Sequence, residues 1–563
     1  MVTGPSPIGW MCSRKETSKL PCVRSFSVQY DRRAVIRRNC NVPTIFIAHT
    51  TDLEPGKMRV VEVSDKKILL LRTLNGQWSA FDATCPHAGA PLEKGALCGD
   101  RLICPWHKSC FAVPDGTVLE PPSLQSLLTY SLEISGDEIR VDLGHQTLQK
   151  DASKDNKIDS KSNQIFVILG GGAAGAAAAR ELRALGFKGR LVMISQEQRH
   201  PYDRTLLSKM YLSGKADSSQ LPLSPKTLLA DCEVEFLVGD VDRIDSEKRA
   251  IHFKNRLPSL RYDKVLIATG GKPRSLPLSD SASAPFLLRN VEDADRLIAA
   301  AEQAKTAVMI GASFVSMEVA SALQERGLAV TIINQDNIPF IKQLGAQMGQ
   351  MLLEKHLKKG VRFLPETEVQ TITSEPLGSK LKLTSGQELN ADLVVSGVGI
   401  VPATEFLKDV SLNEDQSLSV DAFMKVVGVE SMYAAGDIVD FPLPNSNNRR
   451  ARIEHWRVAQ QQAKTAAAGM MDLERLYQGI PYFWTYHYGV RYEFFGTIPD
   501  RFELFIDGDL EEAKFVAAYV ADNQCHGFFA ANRESETAIL LDSMRREGPP
   551  SLETLKAILK AAH

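Results

Sequence analysis

Residues 164–187 read QIFVILGGGAAGAAAARELRALGF. Ile165 to Leu169 run without a polar break, as in a strand buried on both faces. A glycine turn and an alanine-rich helical stretch follow. Gly170, Gly172 and Gly175 satisfy G-x-G-x-x-G where the strand becomes a helix. There, bare backbone lets N–H groups and the helix N-terminus approach a pyrophosphate. RLVMIS at 190–195 is a second strand, and Glu197 just beyond it stands where a carboxylate takes ribose hydroxyls. The stretch therefore predicts the opening of a dinucleotide-binding unit.

Downstream the plan repeats. TAVMIGASFVSMEVASALQERGL at 306–328 is followed by the strand AVTIIN, so a second doubly wound unit is expected. Gly311 is kept, while Ser313 and Ser316 occupy the other two glycine positions. Asn334 closes the second strand, where Glu would favour NADH over NADPH; Asn keeps a ribose hydrogen bond without the charge, and no Arg replaces it. The expected division is a first α/β domain over 164–295 and 422–478, a second over 296–421, and a C-terminal α+β domain over 479–563. The last carries strand-like runs such as PYFWTYHYGVRYEFFG and a final helix near 551–562.

Upstream, residues 146–163 are polar and read as a linker. Residues 44–145 alternate short apolar runs with turn signals, Asn75-Gly76 and Ser135-Gly136-Asp137 among them, and predict a small all-β domain. That domain carries Cys85-Pro86-His87 and Cys104-Pro105-Trp106-His107. Thiolate and imidazole together suit zinc or iron. A Cys₂His₂ zinc site is one physical option, although zinc fingers separate the two thiolates from the two imidazoles and here each pair is mixed. Cys98 and Cys110 read as packing residues.

The whole chain of 563 residues has a net charge of −2, which gives no reason to expect nucleic acid. It has no apolar run of about 18 residues, so no membrane-spanning helix is expected. Nine scattered cysteines are too sparse for a disulfide scaffold and favour a reducing interior. Residues 1–43 are basic and serine-rich, with Arg14, Lys15, Lys19, Arg24, Arg32, Arg33, Arg37 and Arg38. This composition fits a mitochondrial presequence, the alternative being an addressless tail on a cytoplasmic protein. Nothing in the sequence decides between monomer and oligomer.

The mixed pairs resemble the Rieske [2Fe–2S] pattern, in which two Cys bind one iron and two His the other. Ala90 and Trp106 stand where high-potential members carry a clamping disulfide, which implies the lower-potential, ferredoxin-like kind. Lys108 stands where Gly is usual; a left-handed backbone would strain it, and its cation could tune the cluster or meet an acidic partner.

The remainder resembles the pyridine-nucleotide disulfide oxidoreductases, in the branch of the ferredoxin reductases and apoptosis-inducing factors. The resemblance rests on PYDRTLLSK at 201–209, on Ala268-Thr269-Gly270, and on MYAAGD ending in Gly436-Asp437. It implies that Arg204 and Lys209 contact FAD, that Asp437 takes the ribitol, and that Lys209 pairs with Glu318 beside the flavin. It also implies that His455, Trp456 and Trp484 border the isoalloxazine, and that Gly399 belongs to a nicotinamide-side loop. Lys209, Glu318, His455 and Trp484 are thus the candidate catalytic residues.

No C-x₄-C dithiol lies near the first glycine motif. The expected course therefore runs from NADH or NADPH through FAD to the cluster, and on to a protein or small-molecule acceptor. The histidine side would be exposed at the loop tips, and the linker would let the module swing. The alternative is a redox-sensing or death-signalling flavoprotein with little turnover. An oxygenase component is disfavoured, since no 2-His-1-carboxylate motif is evident.

Overall fold

The computed structural model describes residues 44–148, 162–223, 225–255, 257–276, 284–376, 378–444 and 449–561. The basic leader lies outside them, as does most of the polar segment 146–163. Among the described residues, no helix is long and apolar enough to cross a membrane.

The N-terminal part is all-β. A six-stranded antiparallel sheet runs Ile45–His49, Glu138–Leu148, Leu128–Ser135, Trp78–Asp82, Lys66–Arg72, Lys57–Val63 in spatial order. Gly76 and Gly136, both at positive φ, sit in two of its turns, as the hairpin signals require. A smaller four-stranded sheet holds Ala96–Cys98, Arg101–Ile103, Cys110–Ala112 and Val118–Glu120. Cys104 and His107 occupy the turn of its central hairpin, and Cys85 and His87 the loop that joins the two sheets.

The segment from Ile165 to Leu169 is the central strand of a five-stranded parallel sheet, flanked by Arg190–Ser195 and Lys264–Ile267. Gly170 then turns at φ 122° into the helix Ala173–Ala184. Met432–Ala434 closes the sheet, and the later helix Trp456–Met470 packs on the first helix through buried alanines of both. A second parallel sheet, Arg362–Leu364, Ala329–Ile333, Thr306–Ile310, Leu393–Ser396, carries the helix Phe314–Glu325. The C-terminal part is a five-stranded antiparallel sheet beginning with Tyr482–His487 and Val490–Gly496, followed by the helices Glu534–Glu547 and Leu552–Ala561.

The N-terminal β unit is docked on the rest. Arg457, buried in the helix Trp456–Met470, donates to the carbonyls of Pro121 (2.8 Å) and Lys108 (3.3 Å). Arg101 pairs with the buried Asp542 at 2.9 Å. Cys98, Cys110, Ala96 and Ile103 pack with Ala538 and Ile539, so both extra cysteines serve this seam. Burial raises both thiols to about 12, far from the thiolate form that binds metal.

Candidate active site

The first glycine turn is held by close backbone approach. A Cβ on Gly170 would meet the Ala268 carbonyl oxygen at 2.1 Å, and one on Gly175 would meet the Gly170 oxygen at 2.0 Å. Only glycine lets strand, turn and helix come this close. The turn opens on a cavity of about 370 Å³. Gly170, Gly172, Glu197, Arg204, Ala268, Thr269 and Gly270 are among the residues that line it. Lys209, Glu318, Gly436, Asp437, His455, Trp456 and Trp484 line it as well.

Within the cavity Arg204 bridges to Glu197 at 2.5 Å, with Tyr202 donating to the same carboxylate at 2.8 Å. Arg289 reaches Asp437 at 3.3 Å. Lys209 meets Glu318 at 2.9 Å; Ser208 and Thr485 also donate to that carboxylate, at 2.5 and 2.7 Å. His455 Nδ1 and Trp456 Nε1 are buried without a protein partner. Orphaned ring nitrogens in an elongated, glycine-mouthed cavity fit a polar cofactor that completes them. Burial lowers His455 to about 4, so it lines the cavity as a neutral ring.

The second nucleotide unit is built differently. Ser316 is buried, donates to the Gly397 carbonyl at 3.2 Å, and has its own N–H capped by Ser313 at 3.2 Å. Serine here is therefore packed and satisfied rather than an obstruction. Asn334 donates to the Asp336 carbonyl at 2.9 Å. Gly311 and Gly399 both take positive φ. These residues stand apart from the cavity; Phe314 and Val315, at the start of the second unit's helix, reach it.

The two Cys–His pairs converge. His87 Nδ1 and His107 Nδ1 lie 3.2 Å apart, and the Cys85 and Cys104 thiols are within hydrogen-bonding reach of each other. Burial works to raise the Cys104 thiol, but Cys85, the N–H groups of Trp106 and His107, and the charge of Lys108 outweigh it and bring it to about 7. Among the described residues, no three His, Cys, Asp or Glu side chains close on one point. A pair of thiols beside a pair of imidazoles suits a diiron group, one iron to each pair.

The histidine edge is only partly open to solvent, His87 and His107 both being half-buried. The His107 ring centroid lies 4.4 Å from that of Trp484, and Trp484 is a wall of the cavity. Lys108, at φ 60°, is fully buried and meets Glu493 at 3.0 Å. The acidic partner of this lysine is thus in the same chain. Tyr482 ties the seam further, donating at 3.0 Å to the Trp106 carbonyl or at 2.8 Å to Glu493. Sequence reasoning missed Glu493, Thr485 and Arg289. One signal was present: Glu493 is the lone charge in the apolar run Tyr492 to Phe495.

Residues 165–463 match the family described as pyridine nucleotide-disulphide oxidoreductase, and residues 44–131 match the Rieske [2Fe–2S] domain. Apoptosis-inducing factor 3 of Mus musculus is 35% identical over 85% of this chain and 80% of its own length. The ferredoxin–NAD(+) reductase component of the 3-phenylpropionate/cinnamic acid dioxygenase of Photorhabdus laumondii is 30% identical over 66% of this chain and 94% of its own. Among solved structures, a ferredoxin reductase of Rhodopseudomonas palustris superimposes with a TM-score of 0.67 at 25% identity, covering 71% of this chain and all of that one.

Proposed function

Since the chain belongs to the pyridine nucleotide-disulphide oxidoreductase family, in its ferredoxin-reductase branch, and opens with a Rieske domain, we propose that both redox sites work as one fixed unit joined at Trp484. It is an NAD(P)H-dependent flavin oxidoreductase with FAD and a [2Fe–2S] cluster as cofactors. Bound in such a site, a flavin takes up a hydride and gives up electrons singly, and a diiron cluster takes them one at a time. Cys85 and Cys104 would hold one iron, and His87 and His107 the other. The turn at Gly170 to Gly175 would receive the FAD pyrophosphate, Glu197 the ribose and Asp437 the ribitol. Lys209 and Glu318 would set the charge beside the reacting ring, while His455 and Trp456 close its other side. Gly311, Asn334 and Gly399 would hold the nicotinamide nucleotide.

The observation that carries this reading is the 4.4 Å approach of His107 to Trp484. Trp484 excludes water from the cavity and bridges it to the histidine edge. Ala88 and Gly89, beside His87, are exposed, and this tip is where an outside acceptor would approach. The proposal includes the division at 44–145, 164–295 with 422–478, 296–421 and 479–563, which the separate sheets support, and a mitochondrial address in residues 1–43.

Anaerobic addition of NADH or NADPH, followed by flavin absorbance and the cluster's EPR signal, tests the reading. Bleaching followed by a cluster signal supports it; bleaching with none sinks the fixed unit. Steady turnover with a cytochrome or dye acceptor separates it from a signalling protein, which would hold a long-lived reduced complex.

A further inference from the structure

Oxidation of NAD(P)H to NAD(P)⁺ yields two electrons and one proton. On the reading above, on which this inference rests, the electrons leave singly across Trp484. The proton needs its own way out of a buried site.

One continuous row of hydrogen bonds leads from the Lys209–Glu318 pair through residues that do not line the cavity. Thr485 Oγ1 donates to Glu318 Oε1 at 2.7 Å and lies 2.9 Å from His487 Nε2. His487 Nδ1 is 3.2 Å from His356 Nε2, and His356 Nδ1 is 3.1 Å from the Tyr488 hydroxyl. Glu318, Thr485, His487 and His356 are buried, whereas Tyr488 is half-buried beside the exposed Gly489. We infer that Glu318, Thr485, His487, His356 and Tyr488 form a proton path from the hydride-accepting site to solvent.

The atoms balance along this path. A proton taken by Glu318 passes to Thr485 Oγ1, whose own hydrogen moves to His487 Nε2. The His487 Nδ1 hydrogen moves to His356 Nε2, the His356 Nδ1 hydrogen to Tyr488, and the Tyr488 proton to water. Glu318 is left ionised with Thr485 donating to it, as the structure shows. Rotation of the hydroxyls and tautomer exchange of the rings reset the row.

Both rings work as neutral relays. Burial lowers His487 to about 3, with the charge of Lys209 adding to it and the Met317 carbonyl opposing. Burial, then His487, holds His356 well below its ordinary range. Tyr492 lies 6.0 Å from His487, and Lys359 sits over the Tyr488 ring at 5.8 Å. Burial and then Glu325 raise the Tyr488 phenol, so it passes a proton without standing ionised.

A stopped-flow experiment on the flavin- and cluster-loaded protein tests the path, with NADH, ferricyanide as one-electron acceptor, and a pH-indicator dye in weak buffer. Proton release is read separately from flavin bleaching and from the cluster signal, so the electron route can fail while the proton path still gets its answer. Tyr488→Phe and His356→Ala are expected to slow proton release about tenfold and to enlarge its solvent isotope effect, with bleaching by NADH unchanged. Added imidazole should restore His356→Ala. A merely structural role would move flavin content and thermal stability instead. Wild-type proton release with an unaltered isotope effect in flavin-replete Tyr488→Phe would overturn the path.

Discussion

The Lys108 ammonium lies 3.0 Å from a Glu493 carboxylate oxygen, and both side chains are out of solvent. Tyr482 donates to the same carboxylate oxygen and Thr537 to the other. The lysine that follows His107 is thus the bolt between the Rieske unit and the C-terminal sheet.

Removing one partner of a buried pair strands the other charge, at about 3–5 kcal/mol. Lys108→Met and Glu493→Gln should each lower thermal stability by that order and speed proteolytic separation of residues 44–148. The double variant should recover part of the loss. An unchanged melting temperature in both single variants would show that the pair does not fasten the seam.

Trp484 lies between the cavity and His107, so Trp484→Leu opens a gap exactly where the two sites meet. Cluster reduction is expected to slow at least about tenfold at unchanged flavin bleaching, with Trp484→Phe retaining most of the rate. Equal cluster EPR kinetics in wild type and Trp484→Leu would place the electron route elsewhere.

At Gly170, a methyl would sit 2.1 Å from the Ala268 oxygen, where neither backbone can yield. Gly170→Ala should therefore purify without flavin, as its visible absorbance would report. At Gly397, a Cβ would lie 1.9 Å from Ser316 Oγ. Gly397→Ala should weaken NADH binding, and adding Ser316→Gly should restore it. Failure of that rescue, read from the NADH dissociation constant, would remove the contact as the cause.

Stability should fall in mild acid. His455 and His487 titrate near 4 and 3 when folded, against about 6.5 in the unfolded chain. Between those values the unfolded chain binds more protons, so unfolding free energy declines as pH drops below about 6.5. For His455 alone the depression is worth roughly 3 kcal/mol once pH is below its folded value. Denaturant midpoints at pH 7 and pH 5 check this, and His487→Gln should flatten the slope.

Local chemistry was legible in the sequence. The glycine turn at 170–175 and the pairs at 85–87 and 104–107 stand out as candidates through spacing, because tight turns and ligand pairs depend on near neighbours in the chain. Lys209 with Glu318, and Trp484 beside the cavity, were legible through resemblance. Side chains brought together from distant segments were not. That Lys108 finds Glu493, that the His107 ring lies against Trp484, and that His356 continues a row from Glu318 are consequences of packing between sheets. Sequence spacing carries no information about which buried polar groups will satisfy one another across such an interface. Tertiary structure decides it, because burying any one of them alone would be too costly to survive.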